Sequence, residues 1–376
     1  MRTITTIILS LMTMAIQAQT VLTRETNSYI GTGRHIMQQI KCAEVTKDSN
    51  RWDFSNMEIV EQKHTVWHVD KEDSLTHQTL VVERGTRHTY CLQGDSLLIC
   101  SYRGRLSEIK YDGQEAFLLL PMTVGDSVQG IFHGRGTYGD KMAMRQYGRY
   151  KTKAVSIGTL VLPDNESLRN VLHVHTEKTI SSQYYPINQL DSLPPYTTDS
   201  VKMYMQKDSS IIHATIDRWY APGYRYPIIE KRQVAQGSDI PLLKQVLYYP
   251  SEQQESDNPD DEENTMVRSI LAALDRQGEA GGSERNNIRK KDGIPVRNVK
   301  VKVNGTSVSV SYDLTSDATI RASVCDVSGI VYRQQVKDGL AGDSYMMTIE
   351  CDGLRHGQYV LYMNVNGQVA SQAISL

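Results

Sequence analysis

Residues 299–314 read VKVKVNGTSVSVSYDL, and valine recurs at every second position on both sides of the pair Asn304-Gly305. Side chains two residues apart lie on the same face of a β-strand, so the valines before the pair share one face. Asn-Gly tolerates the positive φ angles of a tight hairpin turn. This stretch therefore predicts two antiparallel strands joined by a short turn.

The same alternation continues to the C-terminus. Further strands are predicted at residues 320–324, 330–336, 345–351 and 359–365 and from 368 onward, with turns at Ser328-Gly329 and Asn366-Gly367. Seven short strands in about 80 residues are typical of a two-sheet sandwich. We therefore expect an immunoglobulin-like β-sandwich at residues 294–376.

Two motifs lie within this module: residues 322–329 read ASVCDVSG, and residues 353–361 read GLRHGQYVL. Together they resemble the C-terminal sorting domain of the bacterial type IX secretion system, which carries Asp-x-x-Gly and then Leu-x-x-Gly-x-Tyr. The resemblance implies recognition by outer-membrane secretion machinery. Residues 371–376 depart from the pattern because they lack a basic residue. An accessory sandwich without a sorting role is the alternative. The matching positions are Asp326, Gly329, Leu354, Gly357 and Tyr359.

The N-terminus predicts export independently. Arg2 gives a positive start, residues 4–16 are mostly apolar, and Ala18 offers a cleavage point. The apolar run is too short for a permanent membrane span, and no later segment is apolar enough to be one. We expect residues 1–18 to be a signal peptide and the mature protein to be secreted or at the bacterial cell surface.

Composition sets limits on possible partners. Lys and Arg total 41 against 43 Asp and Glu, a formal charge of −2, which gives no field favouring nucleic acid or an anionic membrane. Tyrosine is abundant, with 21 residues against 3 Phe and 3 Trp. Tyrosine suits half-buried strand faces, and stacking on sugars or peptides is the functional alternative.

Residues 19–250 read as a single large β-rich domain. Turn residues separate its apolar runs, and almost no segment has a helical period. The predicted fold class is all-β: a large antiparallel sheet domain, sandwich or barrel-like, then a flexible acidic linker and the seven-stranded sandwich. The predicted strands are residues 58–69, 80–92, 97–103, 116–120, 128–132, 158–162, 171–179, 211–219 and 226–234.

Two segments of this domain, residues 158–174 and 219–228, resemble segments of uncharacterised secreted proteins that carry the same kind of tail. That resemblance implies lineage and location but no chemistry. The second segment reads WYAPGYRYPI and is the first place to look for a surface that binds a glycan or a protein. Its alternative is core and turn packing around Pro222-Gly223. The candidate ligand-binding residues are Trp219, Tyr220, Tyr224 and Tyr226.

Residues 251–293 predict a linker. Residues 251–264 carry seven acidic side chains and no basic one, so we expect them to stay solvated. Apolar residues at helical spacing within 266–277 predict one short amphipathic helix. The acidic run lacks the ligand order of a calcium loop.

Five cysteines remain after signal cleavage, and export permits disulfides. Cys91 and Cys100 flank a predicted turn and form a possible disulfide. Cys325 follows the inward-facing Val324 and so is predicted to face outward, whereas Cys351 is predicted to face inward, so a bond between them is not expected. Cys42 is left over.

Catalytic patterns are missing from the sequence. There is no Gly-x-Ser-x-Gly nucleophile motif. His173 and His175 would share one face of a strand, but the sequence supplies no third ligand, so no metal and no cofactor is predicted. We therefore expect a non-enzymatic exported protein with a binding or structural β-domain. The alternative is a secreted glycan or peptide hydrolase whose site residues converge only in three dimensions.

Overall fold

The computed structural model describes residues 21–41, 47–48, 50–60, 63–71, 77–163, 166–194, 196–207, 211–237, 240–279, 295–326, 331–366 and 368–376. The predicted signal peptide at residues 1–18 lies outside this set, as do Cys42, Gly329 and residues 280–294. Among the described residues, no helix is both long and apolar enough to span a bilayer.

The chain is built mainly from β-strands. The first fifteen, β1 to β15, are Gly33–Lys41, Lys47–Asp48, Arg51–Asp53, Glu58–Ile59, His64–Lys71, Gln78–Glu83, Thr86–Gln93, Ser96–Arg103, Ser107–Leu119, Ser127–Tyr138, Met142–Val161, Ser167–Pro186, Ile212–Tyr220, Ile229–Gln236 and Ile240–Tyr248. The last seven, β16 to β22, are Val296–Asn304, Ser307–Leu314, Ala318–Cys325, Val331–Gly339, Ser344–Glu350, Gln358–Val365 and Gln368–Ser375. The helices α1 to α4 are Arg24–Asn27, Thr198–Lys207, Ser251–Asp257 and Glu262–Glu279, and Ile187–Ser192 form a 3-10 helix.

Twelve of the first fifteen strands form one closed antiparallel barrel. Their order is β10-β9-β8-β7-β6-β5-β1-β15-β14-β13-β12-β11, and residues 142–153 of β11 pair back along the whole of β10. Closure removes the free edges through which an open sheet could pair with other chains. Of the two predicted architectures for residues 19–250, the barrel is therefore the one adopted.

The observed strands correct several predicted bounds. Residues 80–92 are two strands rather than one, because Arg84 and Gly85 both take positive φ angles, 46° and 80°, and form a hairpin turn. The predicted strand 158–162 is only the end of β11, which begins at Met142. Helix α2 was not predicted, since residues 198–207 are largely polar.

Charged side chains cross the interior of the barrel. Arg232 on β14 and Glu83 on β6 are four strands apart in the barrel order, yet their side chains pair at 3.1 Å. Such a contact is possible only through the interior. Glu83 also accepts a hydrogen bond from His64, at 3.1 Å. Burial opposes ionisation of Glu83, but these partners outweigh it and lower its pKa to about 2.

A second interior pair joins neighbouring strands. Arg218 donates from Nε to Oε2 of Glu230 at 2.6 Å, and Arg232 contacts the other oxygen of the same carboxylate. Arg218 and Glu230 are both buried. The guanidinium of Arg218 lies 4.3 Å from the ring centre of Phe117. The barrel interior is thus a filled core in which ion pairs and aromatic rings pack together.

Strands β16 to β22 form the predicted sandwich. One sheet has the order β16-β17-β20 and the other β19-β18-β21-β22, all antiparallel. The apolar faces of both sheets meet in one core, with Val308, Ile320 and Leu361 at its centre. The alternation predicted for residues 299–314 is visible in β17, where residues alternate between buried and half-buried.

The acidic segment differs from the prediction. Residues 251–264 were expected to stay solvated, but α3 and the start of α4 pack against the barrel. Gln254 is buried and exchanges hydrogen bonds with the backbone N–H and C=O of Tyr226, at 3.2 and 3.1 Å. Asn264 is buried and donates to the carbonyl of Thr26 at 2.9 Å. The composition of this segment gave the wrong prediction, because polar side chains can be buried when the backbone supplies hydrogen-bond partners.

Helix α4 is longer than the predicted helix at 266–277 and docks on the sandwich. Asp261 caps its start by accepting a hydrogen bond from the Asn264 N–H at 3.3 Å, and two glutamates occupy its first turn. Ile270 is fully buried against Cys325, Val360 and Tyr362 on the outer face of the larger sheet. The helix therefore covers an apolar surface that the sandwich would otherwise expose.

Candidate functional site

Pairing of β12 with β13 brings three ligand-type side chains together. His173 and His175 lie two residues apart on β12, and Asp217 lies directly opposite His175 on β13. Lys178 of β12 and Arg218 of β13 reach into the interior, so the alternating positions 173, 175 and 217 face outward. We call these three residues the His/His/Asp cluster. It lies on the outer wall of the barrel.

Both histidines are directed at the same carboxylate oxygen. His173 Nε2 lies 2.8 Å and His175 Nδ1 lies 2.7 Å from Oδ1 of Asp217. The second ring nitrogen of His175 lies 3.4 Å from Oε1 of Glu177. Because a carboxylate only accepts hydrogen bonds, each histidine presents an N–H to Asp217.

The electrostatics of the cluster follow from these contacts. Hydrogen bonds to Asp217 raise the pKa of His175 above its ordinary value, and Glu177 adds to this effect. Burial opposes ionisation of Asp217, but the two histidines outweigh it and hold the pKa of this carboxyl well below its usual range. The cluster thus holds an ionised carboxylate beside a readily protonated imidazole.

Aromatic rings support one side of the cluster. The His173 ring stacks on Trp219 with 4.8 Å between ring centres and 8° between planes. Trp52, from β3, meets both rings edge-on. Both His173 Nδ1 and Trp219 Nε1 are buried and have no hydrogen-bond partner among the described residues. His173 is therefore held rigidly, with one nitrogen toward Asp217 and the other unsatisfied.

Sequence reasoning identified the histidine pair but missed Asp217. Asp217 is 42 residues from His175 in the chain, and only the register of β12 against β13 makes them neighbours. A signal was present, since two adjacent predicted strands each carried ligand-type residues. Without a register, the sequence could not place those residues opposite each other.

The aromatic segment chosen as a candidate ligand surface is mostly interior. Trp219, Tyr220 and Tyr226 are buried in the barrel clusters, and Tyr224 is half-buried. Tyr220 contacts the hydroxyl of Tyr29 at 3.2 Å inside the barrel. These placements match the packing alternative for this segment. A ligand role for the four rings stays a prediction, and the side chains at one end of the segment border a cleft.

This cleft has a volume of about 330 Å³ and lies beside the segment that leads into β1. Arg225 forms a two-pronged ion pair with Asp261, with N–O distances of 2.8 and 2.9 Å. The lining of the cleft thus combines backbone groups, two tyrosine rings and several carboxylates. Its lining includes Tyr29, Gly31, Arg225, Tyr226, Asp260 and Asp261.

No protein-family model matches this chain, and no curated protein matches it. What the chain does must therefore be argued from its own geometry.

The residues of the sorting motif lie at one end of the sandwich, where β21 begins and β22 ends. Asp326 accepts a hydrogen bond from the hydroxyl of Tyr332 at 2.9 Å. Gly357 exchanges two backbone hydrogen bonds with Leu376, each 3.1 Å long. Tyr359 donates its hydroxyl to the carbonyl of Arg355 at 2.9 Å, and Leu354 packs on the core. Gly329 lies outside the described residues.

The cysteines also have defined places. Cys91 on β7 and Cys100 on β8 are joined as a disulfide, with Cα atoms 6.3 Å apart. They are not directly opposite: Cys91 faces Leu98, and Cys100 is the extra residue of a β-bulge. Cys325 and Cys351 are buried free thiols. Cys351 lies in the core between the two sheets, and Cys325 lies on the outer face of the larger sheet.

Proposed function

We propose that this is an exported, non-enzymatic protein, in which the barrel binds a ligand or serves a structural role and the C-terminal sandwich serves as a sorting module. The observation that supports the sorting role is the sandwich itself. It has its own core, and the motif residues Asp326, Leu354, Gly357 and Tyr359 gather at one end of it. The proposed partner is outer-membrane secretion machinery.

The cleft beside β1 supports a binding role for the barrel. Small-molecule and glycan sites are concave and combine ring faces with a few fixed polar groups. Here Tyr29 and Tyr226 supply rings, while Asp260 and Asp261 supply acceptors beside Arg225. Sugar hydroxyls, which donate and accept, match that mixture, and so does a basic peptide.

A secreted hydrolase is the second candidate, and the His/His/Asp cluster is the observation that favours it. Two histidines and a carboxylate resemble the ligand set of a metal-assisted hydrolase. However, neither the cleft at Arg225 nor the cleft of about 600 Å³ at Asp317 and Tyr345 includes the cluster. A substrate would have to bind to the outer wall of a sheet, so binding without turnover is favoured.

The sorting proposal is tested by deleting residues 296–376 and locating the truncated protein in the native host. We expect the truncated barrel to remain in the periplasm, while the full chain reaches the surface or the medium. A thermal transition of the purified truncated protein verifies that the barrel still folds. Unchanged surface delivery of a folded truncated protein would refute the sorting role.

The binding proposal is tested separately with the purified mature protein. A panel of glycans and peptides should contain a ligand that raises the melting temperature, because a ligand that binds only the folded state stabilises it. Asp260→Asn should reduce that shift, and Glu25→Gln, an exposed carboxylate outside the cleft, should not. Turnover of any panel member would instead favour the hydrolase.

A further inference from the structure

We propose that His173, His175 and Asp217 bind one divalent first-row transition-metal ion, of which Zn²⁺ is the representative, on the outer wall of the barrel. This site goes beyond the proposed export and ligand-binding roles and does not depend on them. Each residue offers one ligand atom, and these atoms all lie within 4.8 Å of one another.

Binding of the ion requires rearrangement of the three side chains but not of the backbone. Zinc binds imidazole nitrogen and carboxylate oxygen at about 2.0–2.2 Å, so tetrahedral ligand atoms lie about 3.4 Å apart. The observed nitrogen-to-oxygen distances are 2.7 and 2.8 Å. The three ligand atoms lie within 4.8 Å of one another, so the two imidazoles must approach each other and the Asp217 carboxylate must move back for all three to reach one ion. All three ligands lie on two strands paired in continuous register, so their backbones are already fixed.

A contact between His175 and Glu177, which is not one of the three ligands, also supports the metal site. A histidine that binds a metal through one nitrogen commonly donates its other N–H to a carboxylate, which fixes the ring and its tautomer. His175 has this arrangement, since Nδ1 faces Asp217 and Nε2 lies 3.4 Å from Glu177. His173 is fixed instead by its stacking on Trp219.

A ring nitrogen must give up its proton to bind a metal ion. His173 Nε2 and His175 Nδ1, which present N–H groups to Asp217, would therefore exchange those protons for the ion. The other ring nitrogen of His175 lies 3.4 Å from Glu177, and His173 Nδ1 has no hydrogen-bond partner among the described residues.

Neighbouring charges on the outer wall set the strength of binding. Glu177 adds a negative charge beside His175. Lys153 is the register partner of His175, and Lys231 is the register partner of Asp217. These two lysines oppose a cation, so we expect micromolar rather than nanomolar affinity.

The experiment uses the mature full chain without a histidine tag, titrated with Zn²⁺ by calorimetry. We expect one ion per chain, and Asp217→Asn and His175→Ala should each weaken binding at least about tenfold. The matched control is His213→Ala, which removes an exposed imidazole from the same face of β13 and should leave the affinity unchanged. No binding by the intact chain, or equal affinity in Asp217→Asn, would overturn the proposal. An equal loss of Zn²⁺ affinity in His213→Ala would also overturn the proposal.

A spectroscopic readout locates the ion. Trp52 and Trp219 contact His173, whereas Trp67 lies half exposed on β5. In a Trp67→Phe chain, Co²⁺ should quench the remaining tryptophan fluorescence, with the same midpoint as the calorimetric titration. Quenching that survives His175→Ala, or no quenching on stoichiometric binding, would place the ion elsewhere and refute the assignment.

Discussion

His175 donates a hydrogen bond of 2.7 Å from Nδ1 to Oδ1 of Asp217, across the pairing of β12 with β13. This contact joins residues that the sequence separates widely, and it gives the outer wall of the barrel a site whose charge depends on pH. It also links stability to protonation, because the bond is strongest when the imidazole is charged.

The first prediction concerns the pH dependence of stability in the metal-free protein. The pKa of His175 is raised on folding, so its contribution is fully present below its unfolded pKa of about 6.5. That contribution is lost as pH rises through the folded pKa. Because the ring is partly exposed, we expect a loss of only about 1 kcal/mol. Urea unfolding in chelator, from about pH 5.5 to 8.5, measures the loss.

Asp217→Asn should flatten this pH dependence, since the amide cannot stabilise the charged imidazole to the same degree. His213→Ala is the matched control and should keep the slope. If Asp217→Asn retains the full slope, His175 does not draw its stabilisation from Asp217.

The second prediction concerns acid. Glu83 has a folded pKa of about 2, so its contribution to stability is present above its ordinary pKa of 4.5 and is lost as pH falls toward 2. The shift corresponds to about 3 kcal/mol for this buried group. Glu83→Gln should lower stability at neutral pH and reduce the additional loss below pH 4.5. Denaturant unfolding at several acidic pH values checks this. An unchanged acid response would mean that the contacts of Glu83 with His64 and Arg232 are not maintained in solution.

The third prediction concerns helix α4. Ile270 is fully buried against Cys325, so Ile270→Ala should cost about 2–4 kcal/mol of docking and open a path to the thiol. Burial raises the pKa of Cys325 to about 12, which keeps the thiol unreactive while the helix is docked. Mass spectrometry after timed alkylation should show Cys325 reacting faster in the variant.

Cys351 provides an internal control for this test. It lies in the core between the two sheets, away from α4, and should stay protected in both proteins. Equal acceleration at Cys351 would mean that the whole sandwich opens rather than the helix alone.

The fourth prediction concerns the disulfide. Protein recovered after export should have Cys91 and Cys100 protected from alkylation until it is reduced. The bond closes a loop with a sequence separation of 9, worth about 2–3 kcal/mol by loop entropy. A Cys91→Ser/Cys100→Ser double variant should lose up to that amount in denaturant unfolding. Free thiols at both positions in exported protein would contradict the assignment.

The sandwich could be predicted from sequence because one face of each strand is apolar and the other polar. In β17, Val308, Val310 and Tyr312 point into the core while the serines between them do not. Because side chains two residues apart share a face, this difference between the two faces appears in the sequence as an apolar residue at every second position. The strand count and the placement of the first turn followed from it.

The barrel was harder to predict, since ion pairs interrupt the apolar residues of its interior. On β14 the inward residues include Glu230 and Arg232, and the outward residues include Lys231 and Gln233. Both faces are then polar, and the alternation disappears. The closure of β10 on β11 and the pairing of His175 with Asp217 depend on register, which is set by long-range pairing rather than by local sequence.

We propose that the sandwich is a sorting signal for export, and attaching it to a reporter protein tests this proposal. Residues 262–376 are fused to a periplasmic reporter with its own signal peptide; this range keeps α4, which covers Cys325, Val360 and Tyr362. The measurement is the fraction of reporter accessible to protease on intact cells of the native host. We predict that most of the fusion is accessible in cells with the secretion machinery and almost none in cells without it. A folded fusion that remains protected in both strains would contradict the claim.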